Sequence, residues 1–298
     1  MIRAGKLAAA IAVAAIAGVN ATNVDAGPIF YTGTAYTENF ESLGWLKDGA
    51  RTVWVDGSTV PGWYASVATY VYGSSGTGVT YSGRNLFSYR SGSDSAFGSQ
   101  NASSGIPFLR FGAQIVNNTG TRLSGFTLSY VGEQWHVSSE PGVQQLSFDY
   151  ALDAPSLTSG NYVAVAALNF LSPFYESAAG PPGINLDGNL PENRVAISAQ
   201  VTGLNWDPGE RLWLRWTDID DQGWDFGSGL AIDDLVFTAT EFASPAVETV
   251  SAGLSTPQAS MSIAEPSTGW LAGLCIAALA VVTRRPGKRK APQRRVTK

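Results

Sequence analysis

Residues 211–219 read RLWLRWTDI. Leu212, Leu214 and Trp216 fall on one face of an extended chain and Trp213, Arg215 and Thr217 on the other, the period of two that a β-strand imposes. The same alternation runs through residues 144–152, QQLSFDYAL, where Leu146, Phe148, Tyr150 and Leu152 alternate with Ser147, Asp149 and Ala151. FTLSYV (126–131), NYVAVAAL (161–168), NRVAISAQV (193–201) and GLAIDDLVFTA (229–239) add further strands. Between them lies turn chemistry: NNTG (117–120), DAPSLTSG (153–160), GPPG (180–183) and NWDPGE (205–210). Many short strands punctuated in this way predict an all-β fold, a two-sheet antiparallel sandwich with jelly-roll topology the leading candidate.

Composition agrees. Of 298 residues 44% are apolar, enough for a full core, while only 14% are charged and 33 are glycine. Aromatic residues at 11% suit strands better than long amphipathic helices. The formal net charge of −5 hides an asymmetry, because ten of the 19 basic residues lie at the two ends, with only Asp25 of the 24 acids in the leader. Nine bases against 23 acids leave the middle at −14, which argues against a nucleic-acid partner, since phosphate binding needs a basic footprint. The single cysteine, Cys275, lies in the C-terminal apolar run, so no disulfide can form within the middle region.

Both ends read as targeting segments. Residues 1–26 carry a positive start (Arg3, Lys6), an apolar run from Leu7 to Val19, and small residues at Val24 and Ala26 before a cut at Gly27, the pattern of a secretory signal peptide with its helix. Residues 27–242 are expected to form the sandwich domain. Residues 243–264, poor in aromatics and rich in Ser, Ala and Pro, read as a flexible linker. Within 265–298, Trp270 to Val282 is apolar; its 13 residues span about 20 Å as a helix, short of the ~30 Å bilayer core. Trp270 at one interface and Arg284 and Arg285 at the other extend it into a transmembrane helix with its N-terminus outside.

The order Glu265-Pro266-Ser267-Thr268, apolar helix, Arg284-Arg285 resembles a PEP-CTERM sorting signal, with Ala264 standing where that family usually has proline. The resemblance implies an exosortase-type membrane protease as partner. It also implies export to the cell surface or the extracellular polysaccharide matrix, with the C-terminal helix holding the chain in the membrane transiently or stably. ENFESLGW (38–45) with VPGWYA (60–65), TGTRLSGFTLSYVGEQWHV (119–137) and RLWLRWTDIDDQGWDFGSGLAIDDLVFTA (211–239) together resemble a secreted bacterial β-sandwich domain. That resemblance supports a non-catalytic module.

Asp218, Asp220, Asp221, Asp225, Asp233 and Asp234 crowd one stretch, and carboxylates this dense repel one another unless a cation, arginines or solvent relieve them. An EF-hand is excluded, because Gly229 stands where its bidentate Glu is needed. Resemblance to jelly-roll carbohydrate-binding modules, carried by Phe40-Glu41 and Ile232-Asp233-Asp234, implies a structural calcium with Glu41, Asp233 and Asp234 as ligands. Of the tryptophans in the sandwich domain, Trp54 and Trp224 are the candidates for stacking on a sugar ring, and the rest are assigned to the core. The lone histidine, His136, has no second His or Cys to share a transition metal, and no Gly-x-Ser-x-Gly elbow or phosphate loop occurs. The expectation is a non-enzymatic surface or matrix protein associated with polysaccharide. The alternatives are a calcium-stabilised lectin-like module and a glycosidase built on Glu133 with Glu140 or with an Asp of the acidic stretch 218–234.

Overall fold

The computed structural model describes residues 27–74, 85–102, 108–137, 142–175, 183–219 and 226–242. The leader, the linker, the sorting segment with Glu265, Pro266, Ser267, Arg284 and Arg285, and also Glu140 and Trp224 lie outside the described residues. Among the described residues no helix is long and apolar enough to cross a membrane.

The strands, in chain order, are β1 (Ile29–Tyr31), β2 (Tyr36–Glu38), β3 (Arg51–Val53), β4 (Trp63–Ala65), β5 (Thr69–Ser74), β6 (Asn85–Ser91), β7 (Asp94–Ala102) and β8 (Phe108–Asn117). They continue as β9 (Leu123–Val137), β10 (Gln145–Leu152), β11 (Val163–Ala164), β12 (Phe170–Leu171), β13 (Ile184–Asn185), β14 (Arg194–Trp206), β15 (Arg211–Ile219) and β16 (Phe226–Glu241). Three short 3-10 turns, at Glu41–Leu43, Ala166–Leu168 and Pro191–Asn193, are the helical elements among the described residues.

These strands make an all-β sandwich of two sheets. One runs β1-β8-β15-β10-β11, with β4 also on β8 and β12 on β10. The other runs β13-β9-β16-β7-β6-β5-β3, with β14 also on β9 and β2 on β16. The pairing is not wholly antiparallel, because β1 runs parallel to β8 and β5 parallel to β6. β1 meets β8 from far along the chain, so no hairpin dictates its direction. NYVAVAAL also departs from expectation: its strand is confined to Val163–Ala164 and the chain then turns at Ala166–Leu168. Alanine offers too little side chain to hold a strand face; Leu168 is the residue of this segment that is fully buried, with Val165 packed partly against the core.

The facing sides of the sheets share an aromatic core in which Trp63, Trp206, Trp216, Phe97, Phe111 and Phe237 are fully buried. Burial of each such side chain contributes roughly 1.5–3 kcal/mol relative to exposure. Trp216 sits at its centre, stacked on Trp63 at 5.8 Å and on Phe111 at 6.0 Å and edge-on to Phe148 at 5.0 Å. The outer face of β15 is buried as well, since the segment after β10 folds back over it. Trp213 packs with Ala151, Ala154 and Leu157 there and donates its indole N–H to the Ala154 carbonyl over 2.9 Å. The outer face of the second sheet carries its own cluster, in which Phe87, Tyr89 and Trp135 stack at 5.0 and 5.5 Å.

Trp54 is a correction. It lies in the chain between β3 and β4 but is only 5% exposed, with its ring stacked on Phe97 at 4.8 Å and its indole N–H given to Asp56 Oδ1. A ring so placed is part of the core and presents no face to a sugar.

Candidate functional site

Two features lie along the second sheet, one on its outer face and one at its β13 edge. The first is a group of carboxylates. β6 and β7 form a hairpin whose two-residue loop, Gly92 and Ser93, has Gly92 in the left-handed region (φ 64°). The hairpin pairs Ser91 with Asp94 and sets the half-buried Asp94 at the start of β7. Neighbouring β16 contributes Asp233 opposite Val131 of β9, and β9 contributes Glu133 opposite Ala231. Strand alternation puts Glu133, Ala231 and Asp233 on one side. The register shifts between Asp233 and Val236, where Asp234 takes φ 49°, so a bulge turns Asp234 towards solvent while Asp233 stays buried.

One carboxylate oxygen from each of Asp94, Glu133 and Asp233 lies within 4.8 Å of the others. Glu133 and Asp233 are fully buried. Trp135 donates its indole N–H to Glu133 Oε2 over 3.2 Å, whereas Glu133 Oε1 has no hydrogen bond and faces Arg194 Nη2 at 3.5 Å. Burial, then the nearby Asp233 charge, pushes the Glu133 carboxyl up to about 8 against the opposing pull of Arg194. Burial likewise pushes Asp233 up to about 8, with the Asp234 backbone N–H opposing and Asp234, Asp94 and Glu41 adding to the rise.

Of the calcium ligands expected from sequence, Asp233 is therefore the one inside this group. Asp234 points outward, its side chain 59% exposed and 3.4 Å from Arg194. Glu41, exposed in its 3-10 turn, acts on Asp233 only through its charge. Sequence reasoning did not place Asp94 there and weighed Glu133 only as a catalytic acid. No local spacing could have joined residues brought together by the β9-β16-β7 order.

The second feature is an open cleft of about 460 Å³ beside β13, lined by Phe174, Tyr175, Ile184, Asn185, Asp187 and Glu192 among others. Phe174 is 42% and Tyr175 54% exposed, so both rings offer surface to a ligand. The chain at Phe174 is pinned by the buried Gln134 amide, which donates to the Phe174 carbonyl and accepts from its N–H, each over 2.9 Å. The opposite wall is held by Asp187, which accepts Ser91 Oγ at 2.9 Å and the Asn189 N–H at 3.1 Å. It also lies on Trp135, whose carbonyl accepts the Leu186 N–H at 2.8 Å. Aromatic rings beside amides and carboxylates can stack on the C–H face of a sugar and hydrogen-bond its hydroxyls. None of these cleft residues was singled out from the sequence.

No protein-family model matches the chain, and no curated protein matches it. Among solved structures it is similar to the CBM22-2 xylan-binding domain of Paenibacillus barcinonensis Xyn10C, at 12% identity and a TM-score of 0.34, covering 64% of this chain and 99% of that one. It is similar also to TmCBM61 in complex with beta-1,4-galactotriose, at 10% identity and a TM-score of 0.23, over 48% of this chain and 70% of that one. The arabinose-bound MgGH51 α-L-arabinofuranosidase matches at 6% identity and a TM-score of 0.35, over 71% of this chain and 29% of that one. Likenesses this distant carry nothing about ligand or activity, which rest on the cleft and the carboxylates themselves.

Proposed function

We propose that the chain is an exported, non-catalytic module that associates with polysaccharide at the cell surface or in the extracellular matrix, and that the cleft beside β13 is where it holds the glycan. The observation that carries this reading is the pairing of two solvent-facing rings, Phe174 and Tyr175, with Asn185, Asp187 and Glu192 in one cleft of about 460 Å³. The buried Gln134 clamp favours it too, because it fixes the chain under an exposed ring and so lowers the ordering cost of binding. Export and sorting rest on the terminal segments, whose layout resembles a signal peptide and a PEP-CTERM signal; exosortase and membrane are the partners that reading supplies.

The glycosidase alternative has less support. Its acid, Glu133, is sealed from solvent, whereas a general acid or nucleophile must touch the glycosidic bond. Asp187 in the cleft already accepts hydrogen bonds from Ser91 and Asn189, the role of a wall. The test is co-sedimentation of the full-length chain with insoluble polysaccharides, including bacterial exopolysaccharide, with reducing ends assayed in the same tube. Retention without new reducing ends is expected, and Tyr175→Ala should weaken it roughly tenfold, the equivalent of about 1.4 kcal/mol, with an unchanged melting temperature. New reducing ends, or retention of Tyr175→Ala and Phe174→Ala undiminished from the wild type's, would overturn the reading.

A further inference from the structure

We infer that Asp94, Glu133 and Asp233 hold a hard divalent cation of calcium's class, and that the ion braces one wall of the cleft. Crowding of acids alone would not say this. Asp233 is fully buried, and beyond the backbone N–H of the adjacent Asp234 neither of its oxygens has a partner. Glu133 Oε1 is buried and without a hydrogen bond on the same side. Buried carboxylate oxygens are ordinarily satisfied by donors or a metal, and leaving them bare costs far more than an exposed acid does.

The spacing and charge fit a calcium-like ion. Ligand oxygens within 4.8 Å of one another match the span across a calcium shell, about twice its 2.3–2.6 Å oxygen distance. Once ionised, the three carboxylates carry three negative charges, which a divalent cation together with Arg194, shared between Glu133 and Asp234, would largely offset. The donors are all oxygen, with no thiolate or imidazole in the group, which selects a hard ion over zinc or copper. Asp94, only half-buried, gives the ion its way in from solvent.

Three links lead from this group to the cleft. Glu133 fixes the Trp135 indole, and Trp135 accepts the Leu186 N–H and supports Gly188, where an added Cβ would lie 2.3 Å from the indole. Asp94 is paired across its hairpin with Ser91, whose hydroxyl holds the cleft residue Asp187. Arg194, immediately after the Pro191–Asn193 turn that carries Glu192, reaches Glu133. An ion that pulls the carboxylates together therefore tightens residues 186–193.

The test titrates terbium into the full-length chain while exciting indole, since Trp135 touches a ligand and can pass its excitation to the ion. Sensitised emission should appear, calcium should displace it, and Asp233→Asn and Asp94→Asn should each reduce it at least tenfold. Calcium at a hundredfold excess over its Kd should raise the melting temperature by roughly 5–10 °C, and should leave that of Asp233→Asn unmoved. Amide exchange across 186–193 should slow with calcium. No emission from the wild type, or emission in both variants as strong as the wild type's, would overturn the site; exchange indifferent to calcium would overturn the brace. None of these readouts uses a glycan, so failure here is separable from failure of the glycan reading. Asp94→Asn, at the half-buried mouth, keeps the test decisive should Asp233→Asn fold poorly.

Discussion

Gln134 and Phe174 exchange two hydrogen bonds of 2.9 Å, a buried side-chain amide standing in for the neighbouring strand that residue 174 lacks. Gln134→Ala removes both bonds and leaves the Phe174 backbone groups without them. A loss of roughly 1–3 kcal/mol follows, from one or two hydrogen bonds at ordinary worth. Because Phe174 belongs to the cleft, retention on polysaccharide should fall in parallel. Denaturant melts and co-sedimentation of the same variant check both. A variant that loses neither stability nor retention would show that the clamp is incidental.

Two ion pairs make an internal contrast. Arg215 forks onto Asp149 with bonds of 2.7 and 2.6 Å, and lies over the Tyr162 ring at 3.4 Å, its side chain 9% exposed. Arg122 and Asp207 also pair, with side chains 53% and 42% exposed. Asp149→Ala strands a buried guanidinium and should cost about 3–5 kcal/mol. Asp207→Ala should leave the midpoint nearly unmoved, because water replaces the lost partner. Urea midpoints of the two variants decide it, and equal losses would mean that the Arg215 site is wetter than its packing indicates.

Strands such as β10, β14, β15 and β16 were legible because a half-buried strand writes its period into the chain. The direction of β1 on β8 was not, since nothing local records which distant strand a segment meets. Trp54 shows the same limit for side chains: its place between strands was readable, but its stacking on Phe97 depends on a residue 43 positions away. Asp218 shared its stretch with the acids read as a cation loop, yet it lies within β15, where Ser99 of β7 donates to it over 2.7 Å and ties the two sheets together. Asp233 was visible as a candidate ligand, whereas Asp94 and Glu133 join it only through the strand order of the folded sheet.

Gly188 tests how closely the cleft wall rests on the sheet. Its backbone lies against Trp135, so the methyl group of Gly188→Ala would come 2.3–2.8 Å from indole atoms. The ring is packed on Tyr89 and cannot yield easily, so the segment carrying Leu186 and Asp187 should lift. A cost of roughly 1–3 kcal/mol is expected, with weaker retention on polysaccharide. Tryptophan fluorescence and amide exchange at Leu186 report the displacement, and an unchanged exchange rate would place the wall further from the ring.

His136, the only histidine in the chain, is buried with Nδ1 3.3 Å from the Gly227 carbonyl, while its Nε2 has no hydrogen bond. Burial pushes its pKa below the ordinary value, with the Gly227 carbonyl pulling the other way less strongly. The folded protein therefore keeps the ring neutral where the unfolded chain already takes up a proton, near pH 6.5. Stability from this residue is present above about pH 6.5 and is lost as pH falls towards the lower folded value, by at most about 1.4 kcal/mol per pH unit. The buried carboxylates also titrate, but they are common to wild type and His136→Gln. The difference between those two stability curves should thus shrink or reverse in favour of the variant as pH drops from 7 to 5. Urea unfolding at several pH values measures it, and a difference constant over that range would mean that His136 titrates alike folded and unfolded.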